Sequence, residues 1–110
     1  MPLFITQGRF THDAWKGMIA KPEDRAEAVS QLLAKSGGKL LAYYFTFGEY
    51  DFIAVTEGPT EGVATAVIAA AAGGRATDLK TTLAMTSAEM KNAFAKAGPI
   101  AASLHSAGKG

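Results

Sequence analysis

Residues 39–47 carry large apolar side chains on both faces of a predicted strand, which constrains the fold more than any other feature. Because successive strand side chains point to opposite sides, the two faces are Leu40, Ala42, Tyr44 and Thr46, and Leu41, Tyr43, Phe45 and Phe47. An antiparallel sheet with one face in water alternates apolar and polar residues instead. Burying each large side chain contributes roughly 1.5–3 kcal/mol, so we expect both faces to be covered. A second copy of the chain is the favoured cover; the alternative is that the tyrosines lie half exposed at a strand edge.

The composition also favours self-association, and it excludes several kinds of site. The chain has 110 residues, the size of one domain, with 48% hydrophobic and only 19% charged residues, against about 25% charged in ordinary domains. The 11 basic and 10 acidic residues leave a net charge of +1 without a basic cluster, so we predict no nucleic-acid partner. The absence of cysteine excludes disulfides, thiolate metal sites and cysteine nucleophiles.

Neither the first residues nor the longest uncharged run predicts a membrane or secreted protein. The opening MPLFITQGRF has no basic leader and no apolar stretch of signal-peptide length. The longest run without charge, residues 62–74, would span roughly 20 Å as a helix, short of a bilayer core of roughly 30 Å. We therefore expect a cytoplasmic protein without a membrane partner.

The hydrophobic pattern predicts four strands and three helices. The strands are residues 3–10, 39–47, 51–57 and 76–85. Pro22 opens the first helix and Gly37-Gly38 stops it; Thr60 caps the second and Gly73-Gly74 stops it. A capping box from Thr86 to Glu89 opens a terminal helix that Gly98-Pro99 ends. Residues 14–20 are predicted as a turn or one helical turn, and Gly48 as a turn residue with positive φ.

The order β-α-β-β-α-β is typical of a ferredoxin-like α+β sandwich, with both helices on one side of a four-stranded antiparallel sheet. A terminal helix follows. The domain is predicted over residues 1–97, and residues 98–110 are predicted as a flexible tail because they are rich in Gly, Ser and Ala.

The hairpin between the second and third strands resembles the signature of the GYD domain family. The matching residues are Gly48, Glu49, Tyr50 and Asp51, followed by an apolar strand and Gly58-Pro59. The helix opening from Pro22 to Ala28 and the joint Gly37-Gly38 are also similar, and the resemblance covers residues 4–90. It implies a dimeric α+β barrel, as in small antibiotic-biosynthesis monooxygenases, but little about activity, because fold does not imply function.

Six residues are candidates for binding a small molecule: His12, Trp15, Arg25, Tyr43, Tyr50 and Asp51. Tyr50 and Asp51 either line a pocket or stabilise the turn, where Asp bonds backbone N–H groups. Arg25 is either a carboxylate clamp or an ordinary helix-surface residue. His12 and Trp15 are either part of a catalytic pocket or a loop pair.

No catalytic set and no cofactor are predicted. The two histidines, His12 and His105, are too few for a metal site, which usually needs three or four converging ligands. We therefore expect a homo-oligomeric module that binds a small molecule or acts as a scaffold. The alternative is a cofactor-free enzyme, similar to small monooxygenases, that acts on an aromatic or quinol substrate.

Overall fold

The structure is a computed structural model that describes residues 1–104. Four strands and four helices follow one another along the chain in the order β1 (Leu3–Phe10), α1 (His12–Ala20), α2 (Arg25–Ala34), β2 (Lys39–Phe45), β3 (Phe52–Glu57), α3 (Thr60–Ala72), β4 (Ala76–Ala84) and α4 (Ser87–Ser103). The predicted flexible tail lies partly in α4, and its residues 105–110 lie outside the described residues.

The four strands form one antiparallel sheet in the order β2-β3-β1-β4. The two central strands pair with Ile5 opposite Val55 and Thr6 opposite Ala54. This confirms the predicted α+β class with a four-stranded antiparallel sheet, and the order of elements is compatible with a ferredoxin-like fold.

Burial alternates along the central strands because α2 and α3 cover one face of the sheet only. Phe4 and Thr6 on β1, and Phe52, Ala54 and Thr56 on β3, are buried on the helix side. The residues between them are only half-buried. We call this second surface the open face; its centre is formed by Ile5, Gln7, Ala42, Tyr44, Ile53 and Val55.

Two β-bulges change which side chains share a face, and they correct the strict alternation predicted from the sequence. On β2 the register shifts at Leu41, so that Leu40 lies opposite Thr56 and shares the helix side with Tyr43. On β4 the register shifts next to Asp78, whose φ of 52° is left-handed. An extra residue on one strand reverses the side that the following residues face.

The beginnings of three helices differ from the predicted ones. Residues 14–20 belong to a full helix, α1, because the Thr11 side chain accepts a hydrogen bond from the Ala14 N–H and caps it. The second helix begins at Arg25 rather than at Pro22, with the Asp24 side chain as cap. Thr60 is the first residue of α3 and not its cap.

The predicted stops of α2 and α3 are confirmed, whereas two other glycine predictions are wrong. Gly37 and Gly74 have φ of 83° and 74°, the left-handed conformation that ends many helices. Gly48 does not adopt positive φ. Gly98-Pro99 does not end α4, which continues through Pro99 to Ser103; a proline there removes one backbone hydrogen bond without ending the helix.

Helix α4 stands apart from the rest of the chain. The predicted capping box is confirmed: the Thr86 hydroxyl accepts from the Glu89 N–H at 3.1 Å, and the hydrogen bonds from Thr86 hold the pKa of Glu89 below its ordinary value. Within the described residues, α4 has no buried side chain. The radius of gyration is 18.6 Å, against about 13 Å for a compact chain of this length.

Among the helices of residues 1–104, none combines the length and the apolar content that crossing a bilayer requires.

Candidate functional site

A cavity of about 240 Å³ lies between α2, α3 and the covered face of the sheet. Its walls are mostly apolar: Val29, Leu32 and Leu33 come from α2, Val63, Ala66 and Ala70 from α3, and Phe10, Phe52, Ala54 and Leu79 from the sheet. A dry apolar cavity of about 150 Å³ is already large enough to hold benzene. This cavity can therefore hold a small organic molecule.

Close backbone contacts shut one end of the cavity. A Cβ atom built on Gly62 would overlap the carbonyl oxygen of Ser36, and one built on Gly58 would lie 2.9 Å from the Cα of Gly38. Side chains at these positions would force α2 and α3 apart. The loop after α2 therefore meets the start of α3 here, where Leu33 and Val63 are buried.

The opposite end of the cavity is polar and basic. Arg25 begins α2, and Arg75 lies between α3 and β4, so both line the end away from the glycine contacts. Tyr43 on β2 lines the cavity as well. The cavity is thus amphipathic, with an apolar interior and two guanidinium groups at one end.

Stacked aromatic rings form the wall on the sheet side. The Tyr43 and Phe52 rings are nearly parallel, 5.7 Å apart with an interplanar angle of 12°. Phe10 lies 5.0 Å from Phe52. Aromatic side chains in the lining favour ring-containing ligands, because pairs of aromatic rings gain beyond simple area burial.

Two buried polar atoms at the cavity have no hydrogen-bond partner among residues 1–104: Nε of Arg25 and Oγ1 of Thr56. The Arg25 side chain is 22% exposed, and its one ion pair in the described part of the chain is with Glu23, at 3.8 Å and itself half exposed. Leaving a buried donor unsatisfied costs roughly 1–3 kcal/mol, and more for a charged group.

Burial raises the pKa of Tyr43 to about 12, and the neighbouring positive charge of Arg25 offsets only part of this effect. The phenol is therefore protonated at neutral pH. It can donate a hydrogen bond, and it is not available as a general base at neutral pH because its phenolate form is scarcely populated.

Asp51 and Tyr50 hold the hairpin together and do not line the cavity. The Asp51 carboxylate accepts a hydrogen bond from the Phe10 N–H at 2.9 Å, and its own N–H donates to the Gly8 carbonyl at 2.8 Å. The Arg9 guanidinium lies 5.4 Å from the centre of the Tyr50 ring and donates to the Glu49 carbonyl at 2.7 Å. These bonds join residues 46–51 to β1.

Replacing Asp51 with alanine is expected to lower the free energy of unfolding by about 1–3 kcal/mol, because the partly buried Phe10 N–H loses a charged acceptor. Replacing Gly48 with alanine should change it by less than about 0.5 kcal/mol, because its φ is not left-handed and no atom lies within 4 Å of the added Cβ. Urea unfolding measures the free energy of unfolding of both variants. An equal loss of stability in the two would contradict a stabilising role of the Asp51 carboxylate in the hairpin.

His12 and Trp15 lie away from the cavity. His12 is exposed at the first position of α1. The Trp15 ring packs edge-on against Phe10 at 5.3 Å and lies 6.2 Å from Phe45. His105 lies outside the described residues. Within residues 1–104, no three His, Asp or Glu side chains come together as a metal site would require.

Of the six residues predicted as candidates, the structure brings Arg25 and Tyr43 to one cavity and places His12, Trp15, Tyr50 and Asp51 elsewhere. Sequence reasoning missed Arg75 and Thr56. Arg75 follows two glycines that end a helix, and nothing in that local pattern indicates that Arg75 lines the same cavity as Arg25, the first residue of α2.

Comparison of the sequence with models of known protein families identifies the family to which this chain belongs. The sequence model of the GYD domain matches residues 4–94, which include β1 to β4 and the start of α4. No curated protein matches the chain. The match extends over most of the sequence and includes the hairpin described above. The chain therefore belongs to the GYD domain family.

Proposed function

We propose that this protein is a homo-oligomer that binds a small organic molecule in the cavity between α2, α3 and the sheet. The apolar cavity of about 240 Å³ with two arginines, Arg25 and Arg75, in its lining is the observation that supports this most strongly. Ligand sites are characteristically apolar clefts with a few polar groups that orient the ligand. A core with no ligand would gain from closing such a space, because interiors are otherwise closely packed.

A substitution that fills the cavity tests ligand binding. Ala70 lines the cavity on α3, whereas Ala71 is exposed and does not. We expect Ala70→Phe to abolish binding of small aromatic compounds, because the added ring occupies their space. Ala71→Phe adds the same ring to the outer side of the same helix and should leave binding unchanged.

The measurement is ligand-observed NMR with a panel of one-ring aromatic compounds, both charged and neutral, against the wild-type chain and the two variants. Circular dichroism checks that both variants fold. If no compound of the panel binds the wild-type chain, or if Ala70→Phe binds as well as Ala71→Phe, the cavity is not the binding site.

The proposed self-association is supported by the surface that a single copy leaves in water. The chain exposes 7625 Å², whereas a compact monomer of 11.4 kDa exposes roughly 5,800 Å². The excess exceeds the roughly 800 Å² per partner that a standard interface buries. A second copy is the occupant that fits best, because the open face is mostly apolar at its centre and two sheets packed face to face lie about 10 Å apart.

Helix α4 presents a second unpartnered surface. Met90, Ala93, Phe94, Ala97 and Ile100 follow the spacing of one helix face. Phe94 is 68% and Ile100 is 62% exposed. We infer that this face packs on the second copy too, since a helix in a protein gains most of its stability from the packing of its apolar face.

The enzymatic alternative has less support. A small monooxygenase acting on an aromatic or quinol substrate would need an acid–base group in contact with that substrate. His12 is exposed and does not line the cavity, and Tyr43 stays protonated at neutral pH. The aromatic wall by itself supports binding rather than turnover.

A further inference from the structure

We propose that the ligand of this cavity is a small aromatic monocarboxylate, held by its carboxylate at Arg25 with its ring against the Tyr43–Phe52 wall. This proposal rests on the proposed function, since it names the chemical class of ligand for the same cavity. It does not depend on self-association.

The charged side chains that line the cavity determine the sign of the charge that its ligand carries. Two guanidinium groups, Arg25 and Arg75, line its basic end. Oε1 of Glu23 lies 3.8 Å from Nη1 of Arg25, and the Glu23 side chain is half exposed. Among the described residues, Arg75 forms no ion pair. An exposed ion pair of this length contributes little. The end of the cavity is therefore net positive and favours an anion over a neutral or cationic ligand.

Among the described residues, Glu23 is the one carboxylate that pairs with Arg25, and its Oε1 lies 3.8 Å from Nη1, which is longer than a hydrogen bond. The nearest signature carboxylate, Asp51, already accepts the hydrogen bond of the Phe10 N–H and does not line the cavity. Glu57 lies on the open face, on the opposite side of the sheet from Arg25. Arg25 lines the cavity and its side chain is 22% exposed, so we infer that the terminal N–H groups of its guanidinium bind the ligand's carboxylate through paired hydrogen bonds.

The apolar interior determines the rest of the ligand. The ring wall of Phe10, Tyr43 and Phe52 favours an aromatic body. A volume of about 240 Å³ accommodates one ring with a short side chain. Tyr43 lines the same cavity, and its hydroxyl is a second hydrogen-bond donor.

Matched acids and amides test the proposal on the wild-type chain. Phenylacetate and benzoate are the probes, and phenylacetamide and benzamide have nearly the same shape without the charge. Calorimetric titration at pH 7 should show each acid binding at least about 10-fold more tightly than its amide, the range expected for a hydrogen bond to a charged group. Saturation-transfer NMR should show the ring protons in contact with the protein.

Two variants show whether Arg25 is responsible. Arg25→Met should remove the preference for the acid, and Arg25→Lys should retain part of it. Lys35→Met removes a positive charge at the other end of the same helix, outside the cavity, and should leave the preference unchanged. Circular dichroism checks that each variant folds. If a variant does not fold, the comparison of acids and amides on the wild-type chain still decides the proposal.

The outcomes separate the two claims. If acids and amides bind equally to the wild-type chain, or if Arg25→Met keeps the full preference, the cavity still binds small molecules but the carboxylate assignment is wrong. If neither acids nor amides bind, both the assignment and the proposed ligand-binding function fail.

Discussion

Replacing Val55 with aspartate is expected to convert the homo-oligomer into a monomer. Val55 lies at the centre of the open face, opposite Ile5 on the neighbouring strand. In a face-to-face dimer the new carboxylate would be buried without a partner, which costs about 3–5 kcal/mol, or a factor of roughly 10²–10⁴ in Kd. In a monomer the same carboxylate reaches water, so the fold should persist.

Sedimentation velocity at micromolar concentration measures the assembly, and circular dichroism checks the fold. Ser30→Asp is the matched control, because it adds the same charge at an exposed position of α2, away from the open face. A wild-type chain that sediments as a monomer would contradict self-association. A Val55→Asp variant that remains a dimer would show that the copies meet through another surface.

Replacing Gly62 with alanine is expected to destabilise the fold by about 2–3 kcal/mol. Helix propensity alone predicts the opposite, a gain of up to about 1 kcal/mol for alanine inside α3. The close approach decides the sign, because the added Cβ would overlap the backbone carbonyl oxygen of Ser36, which cannot rotate away as a flexible side chain can. Overpacking of this kind costs about 1–3 kcal/mol and occasionally more.

Gly17→Ala is the control for Gly62→Ala, since both glycines lie inside helices. The nearest atom to a Cβ on Gly17 is Nη1 of Arg75 at 3.9 Å, an ordinary contact. Urea unfolding should therefore show a loss for Gly62→Ala and no loss, or a small gain, for Gly17→Ala. Gains for both variants would mean that α3 does not contact the loop after α2.

The elements of the fold were predictable because local signals determine them. The bounds of β1 follow from its run of β-branched and aromatic residues, and the capping box at Thr86 and Glu89 is visible in four consecutive residues. The stops at Gly37 and Gly74 follow from the left-handed conformation that glycine adopts without strain. Each of these signals acts within one turn of helix or a few residues of strand.

The candidate site was predictable only in part. Arg25 and Tyr43 were identified as chemically suitable, but their location in one cavity depends on α2 crossing β2, which no spacing in the sequence encodes. The sequence allows Asp51 either to line a pocket or to stabilise the turn. The hydrogen bond from the N–H of Phe10, 41 residues away, decides where its carboxylate bonds. No local sequence pattern marks Arg75 as a residue that lines the cavity.

By itself, the sequence determined the four strands, the helices α2 and α3 that alternate with them, and the family, because periodicity, capping and turn chemistry are short-range. It also predicts that β2 is too apolar for a sheet with one face in water. Only the tertiary structure decided which side chains share a face, because the bulges at Leu41 and Asp78 shift the register by one residue. Likewise, only the packing of α2 against α3, which is close at Gly62, decided that a cavity exists and that Arg25 and Arg75 line it.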